Sequence, residues 1–283
     1  MNLLFIGDIV GRPGRRSVEY WLPRVRDEFA IDLVVANGEN AAGGLGITAA
    51  ILRELQGLGV HVITLGNHTW RKREFVKAIA AFDNVVRPAN YPEGVPGLGA
   101  ALYTLPDGRK VGVVNLLGRV FMEPVACPFA VGSRVVAELR QATPLVVVDM
   151  HAEATSEKVA MGWHLDGSCT AVIGTHTHVQ TADERVLPKG TAYITDVGMT
   201  GPCESILGRR IDRVLETTLT FRPTHFEVAS GDVRIHGTLV DVDPATGRAT
   251  TIRRLVVQQP EADQLASLAR RQEEDCPPQR GKL

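Results

Sequence analysis

The sequence predicts an α/β fold with mixed sheets. Three observations predict it. Short β-branched apolar runs alternate with helix-length segments through the first third of the chain, the pattern of a sheet with right-handed crossovers. Five apolar runs end in glycine, carboxylate, amide or imidazole side chains, and polar groups of an open α/β sheet gather just past strand ends. Paired runs around Pro-Asp-Gly-Arg and Asp-Pro-Ala-Thr-Gly-Arg turns then bring in antiparallel strands.

Leu3-Leu4-Phe5-Ile6 reads as the first strand and stops at Gly7-Asp8. Asp8 is a metal-ligand candidate there, or an ordinary Asx-turn residue. Gly11, Pro13 and Gly14 predict a turn before a helix over 15–29, with Pro23 a place for a kink. That turn lacks the lysine of a P-loop and the spacing of a dinucleotide loop. Leu33 to Ala36 form the second strand and open into a glycine-rich loop with Glu39 and Asn40. The loop lets backbone approach a ligand closely, or is simply solvated. Thr48 is the expected N-cap of a helix over 49–58. Val62 to Leu65 form a third strand, ending in Gly66-Asn67-His68. Alone, Gly-Asn would read as a turn.

A helix over 72–82 follows, with Arg71, Lys72 and Arg73 at its start as either a phosphate-attracting rim or a solvated face. The Pro- and Gly-rich 88–99 stretch reads as loop, and 103–105 with 111–116 as a hairpin. Leu145 to Val148 form another buried strand, leading through Asp149 to His151, with a helix near 156–161. Ala171 to Gly174 lead to His176 and His178, which would share a face if extended. His-x-His after a strand signals a metal, though backbone-bonded imidazoles are the alternative. Strand 193–195 and three runs at 226–229, 233–242 and 250–257 predict a meander completing a second sheet. With no linker visible, residues 1–259 are expected to be one domain and 260–283 a polar tail.

Composition bounds the function. The chain has 283 residues, 44% hydrophobic and 22% charged, with 31 basic against 32 acidic side chains. Such balance gives no sign of nucleic-acid or membrane attraction. Cys127, Cys169, Cys203 and Cys276 show no Cys-x-x-Cys pairing, which excludes a zinc ribbon and suits a reducing cytosol. With no signal-peptide pattern and no apolar run near the roughly 20 residues of a membrane span, a cytoplasmic location is expected.

Asp8, Glu39, Asn40, Asn67, His151, His176 and His178 offer oxygen and nitrogen ligands without thiolate. Such a set suits iron, manganese or zinc in expanded coordination and differs from a closed structural zinc site. Seven ligands exceed the need of one catalytic ion. Two ions sharing a bridging carboxylate, placed to assist in-line phosphoryl displacement, fit better. His68 is then the general acid that protonates the departing alkoxide.

GDIVG, NGENAAGG, GNHTW, His151 and THTHVQTAD, in that order, resemble the motifs of calcineurin-like metallophosphoesterases, most closely the YmdB-type branch. The resemblance spans the chain from Met1 to about Val257. It implies an α/β/β/α sandwich with two metals at the strand ends, and hydrolysis of 2′,3′-cyclic nucleotides to 3′-nucleotides. It also implies the partition of ligands: Asp8, Glu39, Asn40 and His178 for one ion, and Glu39, Asn67, His151 and His176 for the other. Iron or manganese is the expected metal, with zinc or magnesium as alternatives. A phosphate-ester nucleotide is the expected partner, RNA-derived ligands and a homo-oligomer are further options, and no membrane is expected. Three departures from the wider superfamily stand out. Asp8-Ile9-Val10 lacks its usual histidine, Glu39 replaces an aspartate, and Thr69 replaces the acid after Asn-His, so the residue orienting His68 is open. A phosphomonoesterase or nucleotidase, and a nucleotide or metal sensor acting through a protein or RNA partner, are the competing readings.

Overall fold

The alternation foreseen in the first third is present. In the computed structural model, which describes residues 1–258, β1 (Asn2–Ile6) and β2 (Asp8–Ile9) precede α1 (Gly11–Glu28). Then come β3 (Leu33–Asn37), α2 (Ala49–Gly57), β4 (Val62–Thr64), α3 (Arg73–Ala78) and β5 (Val85–Val86). The middle of the chain supplies β6 (Ala100–Thr104), β7 (Lys110–Leu117), α4 (Pro128–Leu139), β8 (Val146–His151), α5 (Thr155–Leu165) and β9 (Ala171–Thr175). Two short strands follow, β10 (Arg185–Val186) and β11 (Ala192–Ile194). The chain continues through β12 (Met199–Glu204), α6 (Ile211–Thr220), β13 (Gly231–Val242) and β14 (Ala249–Gln258). The tail expected at 260–283, with Cys276, lies outside the described residues.

Two sheets stack between helices. The first runs β2-β12-β13-β1-β3-β4-β5, with β14 on the other edge of β13, and the second runs β10-β11-β9-β8-β7-β6. Period-two alternation explains the layering. Leu4, Ile6, Val34 and Ala36 face outward onto Val18, Leu22, Leu52 and Leu55 of α1 and α2. Their neighbours Leu3, Phe5, Leu33 and Val35 face inward, onto Val113, Val147 and Ile173 of the second sheet. The outer face of that sheet, with Val114, Val148 and Met150, meets α4 and α5 through Val136 and Met161. The result is the α/β/β/α sandwich.

Three local expectations need correction. The helix expected from residue 15 starts at Gly11 and runs through Pro23. Pro13 falls in the first turn, where no intrahelical N–H is required. At Gly14 a Cβ would lie 2.3 Å from the Thr200 carbonyl oxygen, so glycine there lets α1 pack onto β12. The 226–229 run is no strand and makes only an isolated bridge, Arg209 to Val228. The β13–β14 hairpin completes the first sheet rather than the second, because β13 pairs antiparallel with β1, Leu4 opposite Leu239. Elsewhere the local signals serve well: Thr48 Oγ1 accepts the Ile51 N–H at 3.3 Å as N-cap of α2, and β6 and β7 form the foreseen hairpin.

Candidate metal centre

The carboxyl ends of β1, β3 and β4 in one sheet, and of β8 and β9 in the other, open at the same edge of the sandwich. These strand ends and the segments that follow them carry every nominated side chain, with His151 the last residue of β8 and Asp8 the first of β2, and all eight are joined in one chain of contacts. Glu39 is buried; its Oε1 lies 3.2 Å from His151 Nε2 and 3.2 Å from His68 Nδ1. His151 Nε2 is also 3.1 Å from Asn67 Oδ1 and 3.2 Å from His176 Nδ1. On the other side, His178 Nε2 stands 3.2 Å from Asn40 Nδ2 and 3.8 Å from Asp8 Oδ1. Gly66 makes this approach feasible: a Cβ there would lie 2.3 Å from His151 Nε2 and 2.4 Å from Glu39 Oε2.

The donor set fits a cation. Ligand atoms of Glu39, His151 and His176 lie within 4.8 Å of one another. Asp8 Oδ1 is fully buried without a hydrogen-bond partner, a state that calls for a positive charge nearby. Burial accordingly pushes the Asp8 carboxyl well above its usual range. Burial opposes charge on Glu39 and on His151 alike, yet their mutual attraction outweighs it, lowering the carboxyl and raising the imidazole. Desolvation and the neighbouring His151 push His176 down to about 3, so its ring is neutral, as ligation requires. The amide oxygen of Asn67 already faces the cluster, whereas Asn40 turns its nitrogen toward Glu39 and His178.

The groups that hold these side chains have no role assigned from sequence, although Asp149 ends the same apolar run as His151. His151 Nδ1 bonds Thr175 Oγ1 at 2.8 Å, and Thr175 donates to Asp149 Oδ1 at 2.6 Å. Asp149 Oδ2 accepts from Thr64 Oγ1 and from Asn37 Nδ2. One buried carboxylate thus ties β3 and β4 of the first sheet to β8 and β9 of the second, beneath the site. Glu153 Oε2 lies 3.2 Å from His176 Nε2, and His178 Nδ1 faces the Leu207 carbonyl at 3.2 Å. Such partners fix which ring nitrogen is left for a metal.

His176 and His178 do not share a face of an extended strand. β9 ends at Thr175, and the two histidines have φ of +94° and +65°, conformations that cost about 1–3 kcal/mol each. The buried pair Lys158–Asp196, 2.7 Å apart, supports this turn. Asp196 Oδ2 accepts Thr177 N–H at 3.0 Å and Thr177 Oγ1–H at 2.6 Å, between the two imidazoles. Lys158→Met should leave Asp196 buried without its cation and destabilise the fold by about 3–5 kcal/mol. It should also weaken metal retention. Denaturant unfolding and metal analysis check both; unchanged values would detach the pair from the turn.

Over residues 4–255 the chain matches the family model described as YmdB-like protein. It belongs to the YmdB-like family. Among its curated relatives is the Bacillus subtilis 2′,3′-cyclic-nucleotide 2′-phosphodiesterase, 47% identical over 257 residues, covering 91% of this chain and 97% of the relative. A crystal structure of a hypothetical protein from Thermus thermophilus superposes with a TM-score of 0.86 at 44% identity, covering 92% of this chain and all of that one. A Mycoplasma pneumoniae phosphatase structure also gives 0.86, at 32% identity and with 94% and 96% of the two chains covered. These YmdB-like and phosphatase relatives share the metallophosphoesterase-type sandwich. Among the described residues no helix is long and apolar enough to cross a membrane.

Proposed function

We propose that the chain is a two-metal phosphodiesterase that hydrolyses 2′,3′-cyclic nucleotides to 3′-nucleotides. The observation that carries the reading is the buried, oxygen- and nitrogen-only cluster around Glu39, with its unpartnered Asp8 oxygen. The name of the Bacillus relative supports the substrate class. Glu39, Asn67, His151 and His176 would hold one ion, and Asp8, Glu39, Asn40 and His178 the other. Iron or manganese suits this thiolate-free set. Bound there, two divalent ions would supply the charge that activates water and neutralises phosphate oxygens.

The protein's own groups do the rest. His68 Nδ1 faces Asn40 Oδ1 at 2.8 Å as well as Glu39 Oε1, so Nε2 is the nitrogen left to donate a proton. As water's oxygen joins phosphorus and the bond to O2′ breaks, His68 gives its proton to O2′, and phosphate stays on O3′. The attacking water gives up one proton to solvent, and His68 is reprotonated from solvent. The apolar layer shared by both sheets supports reading this unit as a single domain.

Metal-loaded protein is expected to convert all four 2′,3′-cyclic nucleotides to 3′-phosphates, with weak preference among bases. Chromatography of the isomeric products checks this. Mainly 2′-phosphates would overturn the regiochemistry, and no hydrolysis with both metals bound would favour a phosphomonoesterase or a sensor.

A further inference from the structure

Two lobes meet at the Asn67–His68 turn, one lined by His68 and the other by Asn67. One, of about 370 Å³, is lined by Glu39, Asn40, His176 and His178, so metals and phosphate take its space. The other, of about 520 Å³, opens at Asn67 and is walled by Trp70, Tyr91, Val95 and Val125, with the oppositely charged Arg71 and Glu123 among its lining. Of the nominated metal ligands, only Asn67 lines it. Its size is that of a small-molecule site, roughly 300–1,000 Å³.

The wall is aromatic and tied to the catalytic turn. Trp70 and Tyr91 have ring centroids 6.2 Å apart at 32°, a tilted aromatic pair in the pocket wall. Tyr91 O–H donates to the Gly66 carbonyl at 3.1 Å, and burial pushes that hydroxyl up to about 12, so it stays a donor. The Thr69 and Arg71 N–H groups donate back to the carbonyls of Gly66 and His68, at 3.1 and 3.0 Å. The turn bearing the proton donor therefore also sets the position of Trp70.

Substrate chemistry selects this lobe. The leaving oxygen sits on C2′, and the base hangs from C1′, the adjoining carbon. A base must therefore lie close beside the group that His68 protonates. The lobe containing the metal ligands offers Phe226 as its one aromatic side chain, and its Arg209 guanidinium is already engaged by the carbonyls of Gly43, Gly44 and Phe226. Every base presents a π-face, so stacking binds it with little regard to sequence.

We propose that the Trp70–Tyr91 lobe is the nucleobase subsite, with Trp70 as its stacking face; the assignment rests on the phosphodiesterase reading. Arg71 places a cation at the same pocket, where a base edge can accept from it. Base identity is then read weakly, while the presence of a base matters.

The test compares adenosine 2′,3′-cyclic phosphate with methyl ribofuranoside 2′,3′-cyclic phosphate, which has no base. The metal-loaded enzyme should show a KM about tenfold lower for the nucleotide. Trp70→Ala should raise that KM to the base-free value with kcat within about threefold and metal content unchanged. Trp70 also packs on the helix-facing core, so Val125→Trp, which fills the lobe from elsewhere, is the second variant and should do the same. Equal KM values in the unmutated enzyme would overturn the subsite. So would variants that impair both substrates alike, or loss of the difference on Phe226→Ala in the other lobe instead. Equilibrium binding of adenosine 3′-phosphate against ribose 3-phosphate separates the two readings. Base-dependent affinity that Trp70→Ala abolishes, without turnover, would keep the subsite and remove the diesterase. Turnover without base dependence would do the reverse.

Discussion

Glu39→Gln is expected to empty both metal positions and to cut turnover by more than about 10³-fold, beyond the loss of a single oxyanion donor. Glu39 is fully buried, and its two oxygens meet His151 Nε2, His68 Nδ1 and the His68 N–H at 3.2, 3.2 and 3.0 Å. In that position one carboxylate can neutralise two cations at once. The glutamine amide has nearly the same shape but no charge, and it replaces an acceptor oxygen with a donor facing His151. The repulsion between two cations is then left without the anion that stood between them. Metal analysis of the purified variant, beside unfolding curves that exclude a folding defect, decides the point. Two fully occupied sites with normal turnover would remove Glu39 from the bridge.

What the sequence could disclose was set by distance along the chain. Asp8, Glu39, Asn40, Asn67 and His68 announce themselves because each follows an apolar run within a few residues, and buried strands carry their own signal. Asp149 also ends an apolar run, but its pairing carries no local signal: its partners Asn37, Thr64 and Thr175 come from strands as far as 112 residues away. The same is true of Lys158 and Asp196, 38 residues apart. The histidine pair is marked by its spacing, which implies the wrong backbone for it. Spacing suggested a shared strand face, while the structure uses positive-φ backbone held by Thr177 and Asp196. The last hairpin shows the limit for topology. Alternation marks β13 as a strand, but nothing local states that its partner is β1, because either sheet could have used the same apolar face. The aromatic lobe is assembled from three separated segments, so the motif GNHTW alone gave no view of it.

The orienting residue for His68, left open by Thr69, also comes from the fold. Asn40 Oδ1 and Glu39 Oε1 both face Nδ1, and an amide oxygen has two lone pairs, enough for an imidazole N–H and a metal together. The proposed proton donor is thus held by two of the side chains proposed to bind metal. His68→Ala is expected to slow hydrolysis of cyclic nucleotides by about 10²–10⁴-fold, the range for losing a general acid, with metal content near normal. The deficit should depend on the leaving group. An alkoxide such as the ribose 2′-oxygen needs a proton as the bond breaks, whereas nitrophenolate leaves as a stable anion. Against a nitrophenyl diester the variant should therefore recover most of its rate. Glu39 and Asn67 stay in place when the ring is removed, so metal analysis separates loss of the acid from loss of the site. An equal deficit on good and poor leaving groups, with both metals retained, would show that His68 stabilises bound phosphate and does not donate the proton.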